Sequence, residues 1–415
     1  MNPPLDASTQ AINGIVRNNW GRLLASLIGT LRDFQLAEDS LQDALESALD
    51  HWRRSGLPRS PAGWLLQTAR RKAIDRIRRH RNFERKAAEY AALIEMEQEN
   101  PEPPEEQTIP DERLRLIFTC CHPALEEKTR IALTLRTLGG LTTREIARAF
   151  LDREDAMAQR LVRAKQKIAD AGIPYEIPGA AALPERTASV LGVLYLIFNE
   201  GYASTSGDTQ IRRSLCDEAI RLTQILYDLR RGEPEIMGLL ALMLLHDSRR
   251  DARSNASGNL VPLEDQNRAL WHADKIASGI QLIEKALGLG APGPFQIQAA
   301  ISAVHAEAAS IRETRWQEIV GLYDELLRIQ PNPVVRLNRA VALSFAGAAD
   351  AAFAELDRLK SDLAGYQPYH AAMADCLRRA GHLPEAVSSY ETAIGLSTNP
   401  AERAFLTSRL SAIAN

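Results

Sequence analysis

Three things are scarce in this chain of 415 residues: cysteine, long apolar runs and net charge. Four cysteines, two of them adjacent (Cys120, Cys121), do not make a disulfide framework in a chain this size. No apolar run approaches the roughly 18–20 residues that a membrane span needs. The opening stretch, MNPPLDASTQ, has neither the basic start nor the apolar core of a signal peptide. These absences predict a cytoplasmic protein without a membrane partner. A phosphate-binding glycine loop, a nucleophile elbow and a zinc-hydrolase motif are missing too. No cofactor, metal or catalytic residue is therefore expected, and the chain is not expected to be an enzyme. A formal net charge of only −3 does not advertise a nucleic-acid partner, but that average conceals a segregation of charge along the chain.

What is present is helical periodicity from end to end with no period-two alternation, which predicts an all-α protein. The length exceeds one core and suggests two to four domains of roughly 100–200 residues each. Hydrophobic content of 45% and charged content of 25% are ordinary for a globular chain. Residues 11–83 read as a first helical domain ending in a dense basic stretch. The segment EYAALIEMEQENPEPPEEQTIPDE follows; acidic and proline-bearing, it reads as a self-repelling linker over 84–112. A compact helical domain is expected over 113–172. After the break AGIPYEIPGAAALP come helices of no clear period over 186–315, then a repeat-like part over 316–415. Within the last, Pro333–Leu359 and Pro368–Ile394 align at a shift of about 34–35 residues, the period of tetratricopeptide (TPR) helical hairpins. Ala340 falls on Ala374, Leu343 on Leu377, Gly347 on Gly381 and Ala352 on Ala386. Small residues there let helices approach closely, and the glycines turn the chain. Chance alignment of alanine-rich helices is the plainer alternative.

The sharpest signal is GGLTTREIARAFLDREDAMAQRLVRAKQKI. Gly139 and Gly140 close one helix, and Thr142 with Glu145 three residues on forms a T-x-x-E capping box. Ile146, Ala147 and Phe150 supply an inward face, and Leu151 to Asp155 make a turn. A second helix is expected from about Glu154 to Ala169, with Met157, Leu161, Ala164 and Ile168 inside. Gln159, Arg160, Arg163, Lys165 and Lys167 fall on its other face. A short capped helix, a turn and a basic helix make a helix-turn-helix, whose second helix meets major-groove base edges. An amphipathic hairpin with merely solvated charges is the rival; the lack of interleaved acids on that face counts against it.

In the first zone, Ser60 and Pro61 start a helix reading PAGWLLQTARRKAIDRIRRH. Leu65, Ala69, Ala73 and Ile77 make its buried stripe, and Arg70, Arg71, Lys72, Arg76, Arg78, Arg79 and Arg81 crowd the rest. Trp64, Gln67 and Thr68 lie near its start. Aromatic and polar groups beside cations suit single-stranded nucleic acid, although Trp64 serves equally as a core residue. Ahead lies FQLAEDSLQDALESALDHW, with Ala37, Leu41, Leu45, Ala48 and Trp52 inside and Glu38, Asp39, Gln42, Asp43 and Glu46 outside. An acidic helix beside a DNA surface suits a protein partner.

In order and spacing, AEDSLQDAL, PAGWLLQTARRKAIDRIRR, an acidic linker and LTTREIARAF…MAQRLVRAKQKI resemble extracytoplasmic-function (ECF) sigma factors of the sigma-70 family over roughly residues 15–170. The remainder, with YLIFNEGYAS and ALMLLHDSRRDAR, is similar to the extension of the sigma group that ends in a TPR-type domain. The resemblance implies an RNA polymerase sigma factor that binds the core enzyme, recognises and melts promoter DNA and starts transcription. Asp39, Gln42, Asp43 and Glu46 of sigma region 2 would bind the polymerase core. Arg59, Trp64, Gln67, Thr68, Arg70, Arg71, Lys72, Arg76, Arg78 and Arg79 would melt and hold the −10 element as a single strand. In sigma region 4, Thr142, Thr143, Glu154, Ala156, Gln159, Arg160, Arg163, Lys165 and Lys167 would meet the −35 element as duplex. Ala156 stands where many relatives carry threonine, and Asp152 where the turn is usually apolar, which leaves the −35 sequence open. The extension is expected to be regulatory, with a protein as its possible partner.

Weaker signals remain. Cys120, Cys121 and His122 lack the spacing of zinc ligands, and the two cysteines are expected as buried thiols in a helix. Asn199, Glu200, Tyr202, His246, Asp247, Glu264, Asp265 and Trp271 either line a ligand or peptide groove or serve as caps and satisfied pairs. Two rival functions stand beside the sigma reading. A helix-turn-helix activator with a TPR sensor leaves the arginine-rich first domain unexplained; an enzyme in the central helices has no catalytic constellation.

Overall fold

The computed structural model describes residues 7–79, 105, 111–150, 152–203, 209–253, 255, 261–397 and 400–414. Nearly all of the acidic linker lies outside the described residues, as does the side chain of Arg79. Among the described residues every regular element is a helix, which agrees with the all-α expectation. The chain divides into two compact units, residues 1–197 and 198–415.

The first unit opens with α1 (Ala7–Leu31), α2 (Phe34–Ser55) and α3 (Pro61–Arg79). Arg32 takes a left-handed φ of 54° to turn the chain, and the Asp33 side chain then caps α2 by accepting from the Leu36 N–H at 2.9 Å. Gly56, at φ 78°, ends α2 by donating to the Trp52 carbonyl. The helical ladder of α3 begins with Trp64 N–H donating to Ser60 C=O, so Ser60 and Pro61 occupy the expected cap and first turn. The predicted stripes are buried except at Leu45, which is half-buried: Ala37, Leu41, Ala48 and Trp52 on α2, and Leu65, Ala69, Ala73 and Ile77 on α3.

The second half of this unit holds α4 (Arg113–Cys120), α5 (Glu127–Thr137), α6 (Thr143–Ala149), α7 (Glu154–Asp170) and the first part of α8 (Leu183–Ala203). It packs on α1. Gly21 and Gly140 permit this: a Cβ on Gly21 would lie 2.8 Å from the Leu138 carbonyl oxygen, and one on Gly140 3.1 Å from the Trp20 ring. Trp20 Nε1 donates to the Arg136 carbonyl at 3.2 Å, and the buried Tyr175 hydroxyl donates to the Ala25 carbonyl at 2.7 Å. One expectation fails here. Glu38 is not outside; it is 4% exposed, because Arg136 and Lys165 close over it.

The second unit continues through α9 (Thr209–Leu229), α10 (Pro234–Asp247), α11 (Ala273–Leu287) and α12 (Pro294–Glu307). α10 is apolar on all sides and is buried accordingly. Gly238 lets α12 approach it: an added Cβ would stand 2.6 Å from the Gln296 nitrogen. At its C-terminal end the buried Asp247 accepts from Arg250 and from Lys275 at 2.5 Å. Then come α13 (Trp316–Ile329), α14 (Pro333–Phe345), α15 (Ala349–Arg358), α16 (Gln367–Ala380), α17 (Leu383–Leu396) and α18 (Pro400–Ala414). α14–α15 and α16–α17 are helical hairpins. Ala340, Ala374, Ala352 and Ala386 are completely buried, and Gly347 and Gly381 sit at φ 82° and 84°, where a side chain would be strained.

Candidate nucleic-acid interface

Helix α6 starts on the expected capping box. Thr142 N–H and Oγ1–H both donate to Glu145 Oε2 at 2.7 Å, and Glu145 N–H donates back to Thr142 Oγ1 at 3.2 Å. Two orphan donors are thereby satisfied before the turn. Asp152 fixes the entry to α7, accepting from Arg153 N–H at 2.9 Å and from Arg160 Nη1 at 2.7 Å. The Arg160 bond holds that carboxyl below the usual aspartate range. Met157, Leu161, Ala164 and Ile168 point into the domain. Glu154, Gln159, Arg163 and Lys167 are exposed, with Ala156 half-buried. Thr142 is exposed at the start of α6 and Thr143 half-buried. The one predicted cation drawn well inside is Lys165: it donates to Gln35 at 3.0 Å and is paired with Glu38.

On α3, Arg59 in the preceding loop, Arg71 and Arg78 are exposed, while Thr68, Arg70 and Lys72 are half-buried. Gln67 is only 5% exposed and faces the core. Trp64 stacks on His51 with centroids 5.5 Å apart and 14° between planes, and meets Trp52 edge-on. Its ring thus helps close the α2–α3 seam. Arg76 binds across that seam, donating to Asp43 at 2.8 and 3.1 Å and to Asp39 at 3.3 Å. A residue expected on DNA and two expected on polymerase therefore form one network. Gln42 and Glu46 remain exposed on α2.

Sequence reasoning missed the Glu38–Arg136–Lys165 cluster, since its members lie on three helices far apart in the chain. A glutamate adjoining the apolar positions Ala37 and Leu41 was the only local hint. Cys120 and Cys121 are buried thiols, bonded to Thr137 Oγ1 at 3.1 Å and Thr134 Oγ1 at 3.5 Å. Burial pushes the Cys121 thiol up to about 11 and Cys120 higher still, so neither is a ready thiolate nucleophile.

A capped helix-turn-helix with outward cations, in one unit with a second arginine-rich helix, defines a DNA-binding protein of transcription. Comparison with known proteins narrows this. Residues 15–83 match the sigma-70 region 2 family and residues 115–168 match sigma-70 region 4. Residues 186–287 match a family of unknown function, DUF6596. An uncharacterized protein of Rhizobium meliloti (strain 1021) is 44% identical over 393 residues, covering 94% of this chain and 93% of its own length. The chain belongs to the sigma-70 family of RNA polymerase sigma factors. Such a factor is a non-enzymatic transcription protein whose partners are RNA polymerase core and promoter DNA.

Among the described residues no helix is long and apolar enough to cross a membrane.

Proposed function

We propose that this sigma factor is of the ECF type and acts in the cytoplasm through three surfaces. Asp39, Gln42, Asp43 and Glu46 dock the polymerase core. The loop at Arg59 and the face of α3 bearing Trp64, Thr68, Arg70, Arg71, Lys72, Arg76, Arg78 and Arg79 melt and hold the −10 strand, with Gln67 supporting that face from beneath. The face bearing Thr142, Thr143, Glu154, Ala156, Gln159, Arg160, Arg163, Lys165 and Lys167 reads the −35 duplex. The observation that carries this reading is the exposure of Gln159, Arg163 and Lys167 on α7. Cations on such a face neutralise phosphates, and Gln159 is long enough to bond a base edge. Lys165 can join them only after leaving Glu38.

Run-off transcription with purified core polymerase tests the reading. Start-site selection on a genomic template library is expected with this protein and not with core alone; no selection would refute it.

The extension is read as a regulatory TPR-type helical domain. Support comes from the two hairpins with equivalent alanines at their crossings and equivalent glycines at their turns. A chain ending after Ala203 keeps all of α8, whose Arg186 and Ser189 bond to Phe118 and Cys121 carbonyls at 2.5 and 2.9 Å. Unchanged core affinity, transcription and response to stimulus in that truncated chain would remove the regulatory role.

A further inference from the structure

Three arginines of the second unit gather around two aromatic rings, Tyr202 and Trp271. Arg253 lies over the Tyr202 ring, 3.6 Å from its centroid, and its Nη1 donates to the Tyr202 carbonyl at 2.6 Å. Arg249 Nη2 donates to the Tyr202 hydroxyl at 3.0 Å, and its guanidinium stands 5.7 Å from the Trp271 ring centroid. Arg268, in the short turn Arg268–Leu270, lies over that same indole at 4.5 Å. Its Nη1 donates to the His305 and Ala308 carbonyls at the C-terminal end of α12.

The charge of Arg249 and Arg268 is not matched. Among the described residues neither pairs with a carboxylate, because the acids nearby are taken. Asp247 holds Arg250 and Lys275, and Asp251 holds Arg213 and His272. Glu313 attracts Arg268 only from a distance, and its carboxylate accepts the Ser310 hydroxyl. Three polar atoms here are also buried without a hydrogen-bond partner: Arg268 Nη2, Trp271 Nε1 and His305 Nδ1. Trp271 as a whole is only 8% exposed. Capping the end of α12 accounts for Arg268 Nη1. It accounts neither for the unbonded N–H groups nor for Arg249, whose one hydrogen bond goes to a tyrosine. Like charges crowded over one ring beside orphaned donors oppose folding, and such conflicts collect at functional sites.

We propose that Arg249, Arg268 and the Trp271 N–H form a binding site for a phosphate group, carried by inorganic phosphate or by a small phosphorylated metabolite. Two guanidiniums match the charge of about −1.5 to −2 that such a group bears near neutral pH. Its several oxygens can accept from Arg249, Arg268 Nη2 and Trp271 Nε1 together, whereas a carboxylate offers two oxygens and a single charge. Arg249 and Arg268 are half-buried, so solvent reaches them. The Trp271 and Arg268 Nη2 donors are shielded from water, which suits a small anion rather than a nucleic-acid backbone. Tyr202, Arg249, Arg268 and Trp271 all fall within residues 186–287, the segment matched to a family of unknown function. The site goes beyond the promoter-binding reading and does not depend on it.

Isothermal titration of the full-length chain with inorganic phosphate tests the site, with chloride at matched ionic strength as the control. Phosphate should bind, and acetate should bind at least about tenfold more weakly. A sugar monophosphate that binds more tightly than inorganic phosphate would identify a metabolite as the source; equal or weaker binding would identify the free ion. Arg249→Gln should weaken phosphate by about tenfold or more. Its melting temperature in phosphate-free buffer should hold or rise, because repulsion from Arg268 is relieved. Trp271→Phe keeps a ring but removes the N–H, and should weaken phosphate by about threefold to tenfold. Lys167→Ala, on the helix-turn-helix, should leave phosphate binding unchanged, which separates this site from the cations of the DNA face. No difference between phosphate and chloride on the unaltered chain, or undiminished phosphate binding in Arg249→Gln, overturns the site. If Arg249→Gln does not fold, undiminished binding in Trp271→Phe overturns it instead. Neither polymerase nor DNA is present, so the outcome is separate from the promoter-binding and regulatory readings.

Discussion

Glu38 of α2 and Arg136 of α5, 98 positions apart, are joined by a bond of 2.6 Å from Nε to Oε1. The other carboxylate oxygen takes Lys165 of α7, so one buried acid ties α2, the helix proposed to dock polymerase, to the helix proposed to read the −35 element. Two cations and one anion leave the cluster a surplus positive charge. Removing the acid is therefore more damaging than removing either base.

Glu38→Gln should lower the stability of the first unit by about 3–5 kcal/mol, the usual cost of breaking a buried pair from one side. The urea midpoint measures it. Glu38→Gln with Lys165→Met should recover part of the loss, since one stranded charge is gone. A change of less than about 1 kcal/mol in the single variant would show that water reaches the cluster.

Asp43 presents a different balance. Its partner Arg76 is 40% exposed and Asp43 itself 32%, so Asp43→Ala should cost less than about 1 kcal/mol of stability. Affinity for polymerase core should nevertheless fall by about tenfold or more, corresponding to about 1.4 kcal/mol. Pull-down or fluorescence titration with core distinguishes the two effects; unaltered affinity would remove Asp43 from the docking surface.

Two exposed side chains on α7 should separate phosphate anchoring from base reading. Lys167→Ala is expected to weaken binding to every promoter alike and to reduce the slope of log affinity against log salt by about 1. Gln159→Ala should relax preference at one base pair of the −35 element, a loss of about 1–3 kcal/mol in discrimination. Binding assays over a salt series and over single-base variants give the two results.

The second unit should weaken in mild acid. Burial pushes His305 down to about 4, with Arg249 and Arg268 adding repulsion, and burial depresses His246 as well. An unfolded histidine takes a proton near pH 6.5, so as pH falls below that value the unfolded chain is favoured until the folded pKa is passed near 4. His305 alone accounts for a loss of about 3 kcal/mol across that window. Melting temperatures at pH 7, 5.5 and 4.5 should fall in step. His305→Phe, which keeps an aromatic edge against Trp316, should flatten the dependence; an unchanged slope would assign it to other groups.

Local pattern was enough to find the helix-turn-helix. Thr142 and Glu145 act within one turn, and the spacing of Met157, Leu161, Ala164 and Ile168 repeats at the helical period, so neighbours in sequence are neighbours in space. The stripes of α2 and α3 were legible for the same reason, as were the small residues at Ala340 and Ala374. Glu38 was misplaced because its position on the helix marks a rim, and whether a rim residue is wet or covered depends on what another domain brings. Gln67 shows the same limit: polarity suggested DNA, while packing put it in the core.

The sequence by itself determined the helices, their caps and inward faces, and the cationic character of two of them, because those properties depend on residues within a few positions of each other. Tertiary structure alone decided which charges are occupied: Lys165 by Glu38, Arg76 by Asp43, and Arg409 by Glu264. An ion pair depends on distance and on exclusion of water, and both are fixed by segments up to 145 residues apart meeting in the folded chain.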